Sequence, residues 1–417
     1  MSIASCPPAA EAYTTDLGGH LLPSALSAWT AGLTGWAAYS AKAVRHGLGP
    51  WSVTRDLVHW VHAMTDRREP TWASPNEIVF ETPIARLRDF TGSSRADVVP
   101  TLVLPPQAGH SSCIVDYSRS QSQIKVIRAA GLKRCLSMDW IGATQETKDT
   151  AVEDYIAVIA RAVEHAGGTV NLIGDCQGGW LAAIYAALHP EQVNTLTIAG
   201  APIDFHAGGA VIHAYVEALR RGPGMEFYER VVALGDGVLR GEFMLNGFIV
   251  IRPESEVSKQ LELLRNLDDP DHVERYRAFE DWFKHTQDIP GRLYLWIVEQ
   301  LFRDNRLVAG TLEVGGERVD LGRITCPLFL LGGADDHITP PEQVFALAEH
   351  AGTPQRDVVR RVTSGGHLGL FMGTEALREH WPPILQGVAE RSKPGPARGT
   401  RAVRAATPRR RTAIAAP

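Results

Sequence analysis

No stretch of the 417-residue chain holds about 18 consecutive apolar residues, so no segment reads as a membrane-spanning helix. Cysteine is scarce. The five residues Cys6, Cys113, Cys135, Cys176 and Cys326 are odd in number and widely spaced, with no C-x-x-C pair and no Cys/His cluster. That argues against a disulfide framework and against a zinc site, and leaves reduced thiols in a cytoplasm as the expectation. The N-terminal MSIASCPPAAEAYTTD lacks the basic start and apolar core of a secretory signal. Basic excess is missing too: the formal charge is −5, so the whole-chain balance does not ask for nucleic acid. The exception is local. From Arg391 to Pro417 there are eight Lys/Arg and no Asp/Glu, leaving 34 basic and 47 acidic residues elsewhere. A disordered, solvated tail is the plain reading, and weak attraction to phosphate-rich surfaces such as DNA the sharper one. No internal repeat is visible.

With 44% apolar and 21% charged residues, the composition is that of an ordinary globular protein, long enough for one large domain with insertions. Residues 1–75 are expected to form an N-terminal extension. After a polar leader its segment 21–65 reads as helical, with Leu26, Trp29, Leu33 and Trp36 at three- and four-residue steps. The plain reading packs that face on the chain's own domain; the alternative lays it on an apolar surface. From residue 76 to 390, short apolar runs alternate with helical patterns. The strand candidates are EIVFET (77–82), TLVLP (101–105), CIVDY (113–117), CLSMDW (135–140), TVNLIG (169–174), TLTIAG (195–200), PLFLLGG (327–333) and VVRRVTS (358–364), with helices over 122–130, 149–166, 177–189 and 341–351. This alternation predicts an α/β fold with a mostly parallel sheet. The aromatic-rich stretch from about 205 to 310 breaks the rhythm and is expected to form a helical cap over the C-terminal ends of the strands. Residues 391–417 form the tail.

The chemistry concentrates at NLIGDCQGGWLAAIYAALHPEQV (171–193), an apolar strand, a glycine-flanked cysteine and an apolar helix. Gly174-Asp175-Cys176-Gln177-Gly178 has the form G-x-C-x-G, a thiol version of the tight G-x-S-x-G nucleophile turn. The flanking glycines suit a turn too tight for a β-carbon, and the nucleophile is held in a strained conformation at its tip. A position at the start of a helix favours the thiolate. The competing reading is a buried structural cysteine; the strand–turn–helix context favours the nucleophile. The backbone N–H of Gln177 would donate to an oxyanion, and a second donor is expected after CIVDY, at Tyr117 or Ser118.

A base and an orienting acid should follow in the order nucleophile, Asp, His. LLGGADDHITPPEQ (330–343) supplies Asp336, with Asp335 as a solvated neighbour and His337 as a loop residue. SGGHLGLFMG (364–373) puts His367 in a glycine-rich loop after the last strand candidate. A thiol exchanges readily with thioesters, since attacking and leaving groups are alike. An acyl-CoA or a polyester is therefore the expected substrate class, rather than a peptide.

Several segments together carry a family resemblance: AGLKRCLSMDW, the elbow and its helix through GAPIDF, NLDDPDHVERYRAFEDW, DNRLVAGTLEVGGERVDLGRITCPLFLLGGADDHITPPEQ and GGHLGLFMG. In this order, from about residue 75 to 390, the chain resembles the polyhydroxyalkanoate synthases, most of all the shorter class III catalytic subunits. The intracellular polyhydroxyalkanoate depolymerases are relatives, and DWIGAT and DIPGRLYLWIVEQLF lean toward them. The resemblance implies a capped α/β-hydrolase fold and a triad of Cys176, Asp336 and His367. It also implies polymerisation of 3-hydroxyacyl-CoA, no cofactor, cytoplasmic residence at polyhydroxyalkanoate granules, and a second subunit or a homodimer. Three departures stand out. An Asn-bearing loop usual after CIVDY is absent, His285 stands where the synthase pattern tends to carry Asp, and Asp175 is acidic where the family has a small or apolar residue. A carboxylate of Asp175 near the sulfur would raise the thiol pKa; one pointing into the sheet would need a hydrogen-bond partner.

Three readings stay open at this point. The first is a synthase-type acyltransferase. The second is a depolymerase, esterase or thioesterase using the same triad. The third is a granule-binding protein with a residual triad.

Overall fold

The computed structural model describes residues 17–45, 47, 49–93, 98–220, 224–251 and 253–392. The start of the leader, Cys6 and the basic tail from residue 393 lie outside the described residues. Eight strands form the central sheet: β1 (Glu77–Glu81), β2 (Ala85–Asp89), β3 (Thr101–Leu104), β4 (Cys135–Trp140), β5 (Val170–Asp175), β6 (Val193–Ala199), β7 (Leu328–Gly333) and β8 (Val358–Thr363). Their order is β1-β2-β4-β3-β5-β6-β7-β8. Pairing is antiparallel on both sides of β2 and parallel from β4 to β8. Every residue of β3, β4, β5 and β7 is buried, because helices cover both faces. The strand–helix alternation predicts this mostly parallel sheet, and the fold is the α/β-hydrolase fold that the resemblance implies.

Two strand assignments differ from the sequence reading. Residues 112–116, overlapping CIVDY, form a 3-10 helix, not a strand; Ser111 caps it by accepting the Cys113 N–H. A short apolar run buried on all sides has no periodicity to separate strand from helix. Conversely β2 (ARLRD) escapes the apolar signal because its alternate side chains are charged. Arg86 meets Glu81 at 2.9 Å and Arg88 meets Asp139 at 2.7 Å.

The helices follow the sheet. Over α4 (Val152–Ala166), Val152, Tyr155, Ile159, Ala162, Val163 and Ala166 make one buried face, and Gly167 in the left-handed region (φ 111°) ends it. The helix α5 (Gln177–Leu188) is buried from Gly178 onward. Between β6 and β7 the chain inserts α6 (Val211–Arg220), α7 (Glu226–Leu234), α8 (Gly241–Ile251), α9 (Pro253–Arg265), α10 (Pro270–Lys284) and α11 (Gly291–Trp296), continued by a π-helical stretch to Arg303.

The N-terminal segment is two helices, α1 (Leu17–Arg45) and α2 (Pro50–Thr65), packed on the inserted helices rather than on the sheet. The expected packing face needs correction. Leu33 and Trp36 are about half exposed, and the side chains of Leu26 and Trp29 lie outside the described residues. Among the described side chains, the buried stripe is Gly35, Tyr39 and Ala43. The reason is close approach: a β-carbon at Gly35 would lie 2.7 Å from Leu261 of α9. Lys42 fixes the contact through the Arg265 carbonyl and Asp268, both at 2.6 Å. Trp60 of α2 donates to the Gln260 carbonyl at 2.9 Å. Trp51, Val44, Val58 and Val61 remain exposed on these helices. Among the described residues no helix is long and apolar enough to cross a membrane.

Candidate active site

Cys176 sits at the end of β5 and directly before α5, with φ 50° and ψ −121°. A non-glycine residue there is strained by roughly 1–3 kcal/mol. The surroundings leave no room for side chains on the flanking glycines. A β-carbon on Gly174 would meet the Gly178 carbonyl oxygen at 2.5 Å, and one on Gly178 would meet the Leu104 carbonyl oxygen at 1.9 Å. The Cys176 N–H donates to Ala199 of β6 at 2.9 Å, so the neighbouring strand pins the turn.

Asp336 and His367 come from the turns that follow β7 and β8. The two turns touch: a β-carbon on Gly333 would lie 2.4 Å from the Gly365 carbonyl oxygen. Asp336 is buried, whereas Asp335 is exposed. Its Oδ1 accepts the N–H groups of Ile338 (3.0 Å) and Thr339 (2.9 Å), and its Oδ2 lies 2.8 Å from His367 Nδ1. That leaves Nε2 of the imidazole for Cys176. Phe371 abuts the ring edge-on, with centroids 5.4 Å apart. Burial alone would pull the His367 pKa down. The charge of Asp336 and the adjoining Cys176 sulfur, with their hydrogen bonds to the ring, outweigh it and hold the imidazole well above its usual range. A proton leaving the sulfur therefore finds a favourable place on His367.

Two cavities open on this group. The larger, of about 480 Å³, is lined by Cys176, Gln177, Trp180, Tyr228, Tyr294 and His367 among others; the smaller, of about 330 Å³, by Cys176, His367, Phe248, Phe279, Trp282 and Phe283 among others. Phe248, Ile338 and Ala108 belong to both walls, so α8 and the turns around it divide the space at the nucleophile. Gln177 is in place beside Cys176. Tyr117 and Ser118 are not: they line neither cavity. Tyr117 closes the 3-10 helix, and Ser118 Oγ accepts the Gln121 N–H at 3.0 Å. The expectation failed because it took 113–117 for the strand that precedes the site, whereas β3 is that strand. The segment beside the elbow is the one after β3, Pro105 to Ala108. Its only sequence signal is its place after TLVL.

Asp175 points away from the reaction space, into the packing between β5 and α3 (Gln123–Ala129). It is fully buried, with Oδ1 accepting the Gln123 Nε2–H at 3.3 Å. Neither Asp175 Oδ2 nor Gln123 Oε1 has a partner. Burial, only partly offset by the Gln123 hydrogen bond, pushes its pKa up to about 8. One proton on Oδ2 would serve both orphan oxygens.

The family described as "Protein of unknown function (DUF3141)" matches residues 86–386. The chain belongs to that family. It is also 27% identical over 357 residues to the "Poly(3-hydroxyalkanoate) polymerase subunit PhaC" of Haloferax mediterranei, covering 83% of this chain and 71% of that one. A protein of the same name from Allochromatium vinosum is 28% identical over 331 residues, covering 77% of this chain and 90% of its own. The chain thus falls in the superfamily that the motifs resemble. Among solved structures, a Paleococcus ferrophilus monoacylglycerol lipase aligns over 71% of this chain and 98% of its own, with a TM-score of 0.42 and 20% identity.

Proposed function

We propose that this protein is a thiol acyltransferase of polyhydroxyalkanoate metabolism, taking 3-hydroxyacyl groups from CoA thioesters. The observation that carries this is the strained Cys176 sharing its cavities with His367, whose ring is held by Asp336 at 2.8 Å. The names of the relatives supply the substrate class. In this reading His367 accepts the thiol proton and Asp336 fixes the tautomer that presents Nε2. The sulfur attacks the thioester carbonyl, the C–S bond to CoA breaks, and His367 protonates the departing thiolate. The Gln177 N–H stabilises the oxyanion. The second donor is assigned to an amide at Gln107 or Ala108, since Pro105 and Pro106 have none.

The apolar side chains left outward on α1 and α2, Trp36 and Trp51 foremost, support an encounter with a polymer granule surface. Intact-protein mass after mixing wild type and Cys176→Ala with 3-hydroxybutyryl-CoA tests the reading, with free CoA followed in parallel. A wild-type-only adduct growing by hydroxybutyryl units is expected. Absence of both adduct and CoA release would overturn it, and turnover of amorphous granules instead would assign the same triad to ester cleavage.

A further inference from the structure

The two cavities at Cys176 differ in charge. The described lining of the larger holds no Asp, Glu, Lys or Arg; that of the smaller holds Glu256 and Lys259. Lys259 is the centre of a cluster. Its Nζ lies 2.8 Å from Glu256 Oε2, pairs with Glu280 Oε1, and sits 5.0 and 5.1 Å from the ring centres of Phe279 and Phe283. Lys284 reaches Glu256 Oε1 at 2.8 Å, and Arg67 reaches Glu280 Oε2 at 3.4 Å. Glu280 is fully buried, and the lysine side chains are only about a quarter exposed. Among the described residues three cations thus face two carboxylates, an excess of one positive charge at the wall of a chamber whose other lining is largely aromatic and aliphatic. Partly desolvated charge in excess is costly and is relieved by an incoming anion. Of the three N–H donors of the ammonium one is taken by Glu256; Glu280 is held by charge, and the rings beneath hold the ammonium by cation–π attraction.

We propose that the smaller chamber is an acceptor site for hydroxy acids and oligoesters that end in a free carboxylate, and that Lys259 receives that carboxylate. This rests on the acyl-transfer reading above. The acceptor's hydroxyl oxygen attacks the carbonyl carbon of acylated Cys176. The new C–O bond forms and the C–S bond breaks, while His367 takes the hydroxyl proton and returns it to the departing sulfur. The carboxylate stays at Lys259 throughout and takes no part in bonding. Run backwards, the same contact selects the carboxyl end of an ester chain for cleavage by the thiol.

The test supplies 3-hydroxybutyryl-CoA as donor and either 3-hydroxybutyrate or its methyl ester as acceptor, and quantifies the ester product by mass. A charge-assisted contact of this kind predicts a tenfold or greater preference for the free acid in kcat/KM. Lys259→Met should bring the acid down to the level of the ester. The double variant Lys259→Met/Glu280→Gln should do the same without leaving a buried carboxylate short of a partner. Equal use of acid and ester by the wild type overturns the proposal. A parallel arm follows alkylation of Cys176 by iodoacetamide in the presence of 3-hydroxybutyrate, its methyl ester or CoA, and so reads occupancy without turnover. Donor that releases no CoA counts against the acyl-transfer reading. Equal protection by acid and ester counts against this site. Protection by CoA alone, lost in Lys259→Met, also overturns it, by assigning the cluster to the phosphates of CoA.

Discussion

Asp175→Asn should stabilise this protein, and by an amount that grows with pH. Asp175 is fully buried, accepts one long hydrogen bond from Gln123, and has a pKa raised to about 8 from an unfolded value near 3.8. Folded and unfolded states are both protonated below about pH 4. Above that the unfolded chain ionises Asp175 while the folded protein keeps the proton, so the acid's contribution to stability is lost progressively as pH rises to about 8. The slope is about 1.4 kcal/mol per pH unit, which accumulates to roughly 5–6 kcal/mol over a shift of this size. Asparagine is neutral throughout, and its amide can pair with that of Gln123: Oδ1 keeps the Gln123 Nε2–H, and Nδ2, in place of the orphan Oδ2, donates to Gln123 Oε1. The gap between variant and wild type should therefore be about 1–2 kcal/mol at pH 5, about 4 at pH 7, and largest at pH 9. Urea unfolding followed by tryptophan fluorescence at the three pH values measures it. Parallel curves with a constant gap would refute the reasoning, because they would mean that Asp175 ionises alike in both states.

Three further outcomes are expected. Cys176→Gly should be more stable than Cys176→Ala by about 1 kcal/mol, since only glycine adopts φ 50°, ψ −121° without strain; equal thermal midpoints would say that the turn is unstrained. Iodoacetamide should label Cys176 ahead of Cys113, Cys135 and Cys326, because Cys113 and Cys135 are buried and burial pushes the thiols of Cys113 and Cys326 up to about 12 and that of Cys135 further still. Peptide mapping after brief alkylation reads the order. Asp336→Asn removes the charge that holds the His367 imidazole above its usual range, so the His367 titration should move to lower pH; the imidazole proton resonances of wild type and variant, followed with pH, would show it, and an unmoved titration would reject the Asp336 charge as the cause.

Much of this protein is local and therefore legible from the residues in order. The strand–Cys176–helix turn, the glycines on either side of it and the Asp and His loops after later apolar runs are each written within about twenty residues, and the resemblance joins them. Tertiary structure decided what depends on which backbones approach one another. It made 112–116 a 3-10 helix and β2 a strand, because burial and cross-strand pairing outweighed apolar count. It chose Asp336 over Asp335 by burying one carboxylate against His367 and leaving the other exposed. It set the segment after β3, and not Tyr117 and Ser118, beside the elbow, turned Asp175 toward Gln123, and set Gly35 rather than Trp36 against α9. It also drew Arg67, Glu256, Lys259, Glu280 and Lys284, from three separate stretches of chain, into one charged cluster that meets the chamber through Glu256 and Lys259. A sequence determines periodicity and turn chemistry; charge assembled across hundreds of residues exists only once the chain has closed upon itself.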